Sequence, residues 1–329
     1  MDISIVVPLY NEEENVDLLY DEIKSVTREM PQQAEIVFVD DGSRDATMAR
    51  LEAIQQQDQA VRVVSLRRNF GQTAAMSAGF DHAAGDVIIT MDGDLQNDPH
   101  DIPKMLAKLD EGYDVVTGWR FNRQDSLLSR KLPSRMANRL ISWVTGVSLH
   151  DYGCTLKAFR REVIENINLY GEMHRFIPAI ASGMGISFTE MKVNHRARRF
   201  GSSKYGISRT IRVLLDLMTV KFLLSYATRP LQVFGTLGIA ASFVGFLLAL
   251  VLMVQRQFFG VALADRPLLL LAVLLIFLGI QFITIGLLAE LVVRTYHESQ
   301  KKPIYFVRKV LASPAVTPAN QPSGESRVL

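Results

Sequence analysis

Hydrophobic positions follow two alternating rhythms over the first two hundred residues. Unbroken apolar runs at 3–7, 34–39, 61–66, 87–91 and 115–118 have the length and β-branched content of strands buried on both faces. Amphipathic or small-residue stretches lie between them. They predict helices opening at Asn11 or Glu12 and running to about Met30, then over 46–57, from Gly71 to Ala84, and over 101–109. Strands separated by helices of this length pair in parallel, so the expected fold class is α/β with a doubly wound, mostly parallel sheet.

Beyond residue 195 the rhythm breaks. Residues 196–229 carry eight Lys or Arg and a single acid, Asp216. Gly201 and Gly206 mark a hinged loop over 196–206. Residues 207–229 alternate so that Arg209, Arg212 and Asp216 share one face and Ile211, Leu215 and Phe222 another, as in a helix lying in a lipid interface. No charge occurs in 230–255 or in 267–289, and a spanning helix needs only ~20 apolar residues. Two transmembrane helices, 230–255 and 267–291, are therefore expected, followed by a tail over 292–329. Basic residues crowd the outer ends of the pair and the link is nearly neutral. That asymmetry places the amino-terminal domain and both termini in the cytoplasm.

Composition changes this picture little. Net charge is +2, and Cys154 is the one cysteine, which excludes an internal disulfide or a cysteine-rich metal site. The chain opens on a strand pattern and lacks the basic and apolar regions of a signal peptide.

Candidate chemistry gathers where strands end, the edge at which open α/β sheets bind ligands. The run 87–91 leads into Asp92-Gly93-Asp94-Leu95-Gln96. Glycine between the acids would let the backbone turn, and on an extended chain Asp94 and Gln96 project to one side. Two carboxylates and an amide oxygen suit Mg²⁺ or Mn²⁺ shared with a diphosphate. For an isolated Asp-x-Asp a plain polar turn is the commoner explanation, and the rest of the chain has to outweigh it. Residues 119–139 hold six basic residues against Asp125. With only Trp119 and Phe121 available for base stacking, this region fits an anionic small-molecule or lipid acceptor better than nucleic acid.

Taken together, Asp40-Asp41-Gly42-Ser43, Asp92-Gly93-Asp94-Leu95-Gln96-Asn97-Asp98-Pro99 and Arg198-x-x-Gly201-x-Ser203-Lys204 resemble the polyprenyl-phosphate glycosyltransferases. These are family 2 enzymes of the dolichyl-phosphate-mannose-synthase-like group, and the following helix pair matches the bacterial undecaprenyl-phosphate branch. The resemblance implies a GT-A catalytic domain over 1–206, an inverting, metal-dependent transfer, and a place in the bacterial inner membrane. It implies Pro8, Tyr10, Glu12, Asp40, Asp41 and Asp92 around the nucleotide, and Asp94, Gln96 and Asp92 at the metal. Arg120, Arg130 and Ser134 match positions that bind the lipid phosphate. Arg198 matches a phosphate-contacting loop arginine, and Asp151 an acid near the sugar, although Asp-Tyr-Gly-Cys-Thr departs from the usual Asp-x-x-Ser-Gly.

The leading expectation is transfer of a hexose, glucose from UDP-glucose, to undecaprenyl phosphate. Mannose or an aminoarabinose derivative is the alternative within the same reaction, and a catalytically dead scaffold or nucleotide sensor the alternative outside it. A processive polymerase is disfavoured because no Gln-x-x-Arg-Trp occurs. Self-association is left open.

Overall fold

The computed structural model describes residues 2–121, 138–139, 141–142, 145–167, 176–183, 185–197, 230–260, 267–299 and 305–312. Its strands are β1 (Ile3–Leu9), β2 (Ala34–Asp40), β3 (Val61–Leu66), β4 (Val87–Thr90), β5 (Val115–Trp119), β6 (Lys157–Arg160), β7 (Phe188–Lys192) and β8 (Val307–Leu311). Helices α1 (Val16–Glu29), α2 (Thr47–Gln57), α3 (Gln72–His82), α4 (Ile102–Asp110), α5 (Arg161–Glu165) and α6 (Ile177–Gly183) accompany them, with α7 (Pro230–Phe259) and α8 (Pro267–Ser299) forming a separate unit.

The eight strands form one sheet in the order β7-β5-β6-β4-β1-β2-β3-β8. Parallel pairing joins β1 to β2 and β4, β2 to β3, and β5 to β7. Strand β6 runs against both β4 and β5, and β8 against β3. Six strands therefore end at the same edge, and β6 and β8 begin there. The mostly parallel GT-A sheet expected from the sequence is present, with one antiparallel strand, β6, inside it and another, β8, at its edge.

Alternate residues explain the two covered faces. Ile3, Ile5, Val7, Ile36, Phe38, Ile89 and Val116 point into a core closed by Leu19 and Ile23 of α1, Leu51 of α2 and Met105 and Leu109 of α4. Each such side chain contributes ~1.5–3 kcal/mol on burial. The opposite face packs on α3, which approaches so closely that a Cβ on Gly79 would collide with Val6. That spacing explains the run of small residues in this helix.

Two expectations are corrected. Helix α1 begins at Val16, not at Asn11 or Glu12, because residues 10–15 are drawn into a loop described below. Residues 292–329 are not merely a tail: 292–299 continue α8, and β8 adds the eighth strand to the sheet. The amphipathic segment 207–229 and most of the loop 196–206 lie outside the described residues.

Helices α7 and α8 are long and apolar enough to cross a membrane, and most of their side chains are exposed. Their contact is made through small residues. A Cβ on Gly238 would strike the carbonyl of Gly279, and one on Gly245 the carbonyl of Ala272. Large chains such as Phe243, Phe246, Leu270 and Phe277 point away from the pair. Backbone-close packing with an apolar exterior is the arrangement helices adopt in lipid, where burying apolar surface offers no drive to associate.

Candidate active site

The carboxyl ends of β2, β1 and β4 stand side by side, and they bring Asp40, Asp41, Pro8, Tyr10 and Asp92 to one edge. Two loops are knitted together there. The backbone N–H of Asn11 donates to Ser43 Oγ at 2.9 Å, Arg44 N–H to Asn11 Oδ1 at 2.8 Å, and Glu12 N–H to Thr47 Oγ1 at 2.9 Å. Asn11 sits at φ 52°, a left-handed position that asparagine tolerates, and this bend delays α1.

Asp41 is buried and accepts the backbone N–H groups of Phe70 (2.7 Å) and Gly71 (2.9 Å). Burial nevertheless pushes its carboxyl up to about 6, with the two N–H groups only partly offsetting and the neighbouring Asp40 adding to the rise. Asp40 accepts from Ser43 N–H at 3.1 Å. Gly42 is required between the acid pair and the 67–71 loop: its φ is 69° and a Cβ would press into the Arg68 backbone.

The Asp92–Gln96 turn is built differently from the expectation. Gly93 does not supply the left-handed bend. It is needed because a Cβ there would collide with Leu9. The bend falls at Leu95, φ 62°, so the chain from Asp94 to Gln96 is not extended. Gln96 N–H donates back to Asp94 Oδ1 at 3.1 Å, and the Gln96 side-chain amide donates to the Arg196 carbonyl at 3.3 Å. Asp92 Oδ1 accepts from Gln72 Nε2 at 2.8 Å, and its N–H donates to Asn97 Oδ1 at 3.0 Å. Asp94 is buried.

Residues 194–196 lie along this turn. Asn97 and His195 form an antiparallel bridge, and Arg196 N–H donates to the Gln96 carbonyl at 3.0 Å. The Arg196 guanidinium pairs with Asp98 (2.8 Å) and Glu22 (2.7 Å). Burial alone would raise the Asp98 carboxyl, but hydrogen bonds from Asn194 and His100 and the Arg196 charge hold it at about 2. The basic loop is thereby anchored beside the acid turn two residues before Arg198, which itself lies outside the described residues, as do Arg130 and Ser134.

Arg120 follows β5 at the same edge, two strand spacings, or ~10 Å, from β4. It makes a two-point ion pair with Asp151, Nε–Oδ2 2.7 Å and Nη2–Oδ1 2.9 Å. Burial would weaken the Arg120 charge, yet this carboxylate raises its basicity, and Asp92 adds to the effect. Asp151 also accepts from Gly153 N–H at 3.1 Å, while its own N–H donates to Glu190 at 3.2 Å. The resemblance assigns these two residues separate tasks; the structure makes them one unit. Gln72, Asn97 and Arg196 brace the turn, a role the sequence pattern does not carry. Their function depends on partners up to 174 positions away, as for Arg196 and Glu22.

Among the described residues, no three His, Cys, Asp or Glu converge as a ready metal cage. An ion of the magnesium type does not require one, since it commonly takes one or two carboxylates and completes its shell with water and substrate phosphates. Asp92 and Asp94, two residues apart in one turn, fit that donor set.

A mostly parallel α/β sheet with acids and glycines at its carboxyl edge, in a chain that also carries two helices long and apolar enough to span a membrane, is the GT-A-like architecture expected from the sequence. Residues 4–167 match the family described as Glycosyl transferase family 2. Dodecaprenyl-phosphate galacturonate synthase from Rhizobium johnstonii is 46% identical over 314 residues, covering 94% of this chain and 93% of its own. Undecaprenyl-phosphate 4-deoxy-4-formamido-L-arabinose transferase from Photorhabdus laumondii is 40% identical over 311 residues, with 94% of each chain covered. Glucosyl-3-phosphoglycerate synthase from Mycobacterium tuberculosis, solved with Mn²⁺ and UDP-glucose, shares the fold at TM-score 0.53 and 18% identity, over 68% of this chain and 78% of that one. The chain belongs to the family 2 glycosyltransferases, within the group of polyprenyl-phosphate sugar transferases.

Proposed function

We propose that the protein transfers a sugar from a nucleoside diphosphate, with UDP as the expected carrier, to the phosphate of undecaprenyl phosphate or a similar polyprenyl phosphate. The observation carrying this reading is the 46% match to a dodecaprenyl-phosphate galacturonate synthase over 94% of the chain, an extent that cannot omit either apolar helix. For the sugar we place galacturonate first, on the same relative. The 4-deoxy-4-formamido-L-arabinose transferases, 40–42% identical, support the second reading. Glucose, the leading expectation from sequence, is named for fold neighbours at 18–20% identity, a likeness that carries the fold alone.

Pro8, Tyr10, Glu12, Asp40 and Asp41 border the nucleoside in this reading, and Asp92 the ribose. Asp94, with Asp92 and Gln96 beside it, would hold Mg²⁺ or Mn²⁺, whose charge would stabilise the departing diphosphate. The acceptor phosphate is largely ionised near neutral pH, its second pKa being about 6, so its oxygen attacks the anomeric carbon without a strong general base. The nucleoside diphosphate leaves from the opposite face and configuration inverts. Holding two anions together falls to arginines, whose planar fork matches phosphate oxygens. Arg120 keeps N–H donors beyond the two committed to Asp151, and Arg130, Ser134 and Arg198 complete the set. Asp151 orients Arg120.

The catalytic unit faces the cytoplasm, with α7 and α8 as a membrane hairpin. Support comes from β8: it follows both helices and pairs with β3, so both ends of the helix pair belong to one compartment and an even number of crossings. The proposed boundaries are 1–206 for the catalytic domain, 207–229 for an interface helix, and α7 and α8 for the spans.

Purified protein given undecaprenyl phosphate and radiolabelled nucleotide sugars tests the reading. UDP-galacturonate should label the lipid fraction in the presence of Mg²⁺ or Mn²⁺. Labelling by UDP-4-deoxy-4-formamido-L-arabinose instead selects the second sugar, and no labelling from any donor overturns the assignment.

A further inference from the structure

We propose that β8, the strand reached only after both apolar helices, is a positioning element of the nucleoside subsite. The proposal rests on the reading of Asp41 as a nucleoside contact. Asp41 does not hold itself in place; the N–H groups of Phe70 and Gly71 do, from the loop that leaves β3. That loop is fastened from outside by β8. The Arg67 N–H donates to the Phe306 carbonyl at 2.9 Å, and Arg308 Nη2 donates to the Arg67 carbonyl at 3.1 Å, so both backbone groups of the first loop residue are occupied by β8 and the residue that leads into it. The Phe306 ring lies 6.1 Å from that of Phe70, centroid to centroid, and the Arg68 guanidinium sits over the Phe70 ring, 4.6 Å from its centroid.

Further anchors set the register. Buried Tyr305 donates its hydroxyl to Asp81 at 2.6 Å near the end of α3, the helix that Gly71 caps, and Lys309 pairs with Glu52 of α2 at 3.2 Å. Burial and the Asp81 charge both raise the Tyr305 hydroxyl above its ordinary pKa, so it stays a donor across the working pH range. Gly71 sits at φ 95°, a conformation the loop must keep if both N–H groups are to converge on one carboxylate. A loop pinned at Arg67, Phe70 and Tyr305 is pre-organised for that convergence, and ligand binding need not supply the ordering.

Full-length protein in lipid nanodiscs, titrated with UDP and Mn²⁺, provides the test, alongside hydrogen exchange of the 67–71 segment. Phe306→Ala, and a chain ending at Lys302, should weaken UDP by about tenfold, the scale of losing pre-organisation in one loop. They should speed exchange at Phe70 and Gly71 and leave kcat at saturating donor within about twofold. Phe306→Tyr should restore affinity, and a chain ending at Ser313, which retains β8, should behave as the parent. Unchanged affinity in both Phe306→Ala and the Lys302 truncation, with Asp41→Asn losing UDP, overturns the proposal while leaving the nucleoside reading intact. A loss of kcat without loss of affinity also overturns it. If Asp41→Asn binds UDP like the parent, the Asp41 reading falls and takes this proposal with it.

Discussion

The two ends of the sheet both bury charge, and they treat it in opposite ways. At the amino edge Glu35 and Arg62 are almost fully enclosed, yet Glu35 accepts from Ser4 Oγ and Ala84 N–H and faces the Arg62 guanidinium at 3.6 Å. Ser4 Oγ in turn accepts from Gly85 N–H at 2.7 Å. Charge there is answered by charge within the chain. At the carboxyl edge Asp40, Asp41 and Asp92 are braced by backbone N–H groups, a hydroxyl and one amide, and no ion pair among the described residues involves any of the three. Hydrogen bonds fix these carboxylates without neutralising them. Uncompensated negative charge in a partly desolvated edge is costly, and it persists where a ligand supplies the missing cation. The first arrangement closes a fold; the second prepares a site.

Substitutions at the two edges should therefore fail in different currencies. Asp94→Asn is expected to lower transfer by roughly 10²–10³-fold, the cost of losing one stabilising contact to developing charge, while the melting temperature stays near that of the parent. Retention of parent-like turnover would remove Asp94 from the metal site. Glu35→Gln should do the reverse. It strands a buried guanidinium and should cost ~2–4 kcal/mol of stability by chemical denaturation, with turnover per folded molecule unchanged. A loss of turnover at constant stability would mean the amino edge is not merely structural.

Arg120 tests whether the contrast holds strand by strand. It lies at the carboxyl edge but is neutralised by Asp151. Arg120→Ala should thus show both signatures, about 2 kcal/mol of stability lost to the stranded carboxylate and a raised KM for the polyprenyl phosphate. Asp151→Asn should reproduce the second effect more weakly, if its task is to orient Arg120.

How far the sequence anticipated this contrast depends on the range of each interaction. Apolar runs announced β1 to β5 because burial on both faces is a local property of composition. The Asp92–Gln96 turn was legible as chemistry but not as geometry. Nothing nearby says that Leu95 takes the left-handed bend, and the reason for Gly93 is a leucine 84 positions earlier. The Arg120–Asp151 pair spans 31 positions, and β8 is a five-residue strand whose partner lies over 240 positions back, after two membrane-length helices. Pairings of that range leave no periodic trace. A short basic segment behind a helix reads as a tail until a sheet edge is available to receive it.

Asp41 offers the smallest effect and the sharpest sign. Burial pushes its carboxyl up to about 6 in the folded protein, above the ordinary carboxylate value near 3.8, because it outweighs the two N–H bonds. A raised acid pKa means the folded state holds the proton longer than the unfolded one. Stability is therefore favoured at low pH, declines as pH rises from about 4 to about 6, and is flat above. This is opposite to the trend for Asp98, held at about 2, whose contribution is present above pH 4 and is lost only as pH falls toward 2. Asp41→Asn should erase the decline between pH 4 and 6 in thermal melts. Its net effect at pH 7.5 should stay within ~1 kcal/mol, since an amide cannot accept both the Phe70 and Gly71 N–H groups and one donor is left unpaired. Nucleotide binding should follow the ionised form instead, weakening about tenfold per pH unit below 6 as the carboxylate is lost. Melts that decline in the parent but not in Asp41→Asn, with affinity moving in the opposite direction, would show one carboxylate kept at a cost to the fold for the sake of the ligand. Parallel melts from the two proteins would place the charge of Asp41 among those the chain already satisfies, as at the amino edge.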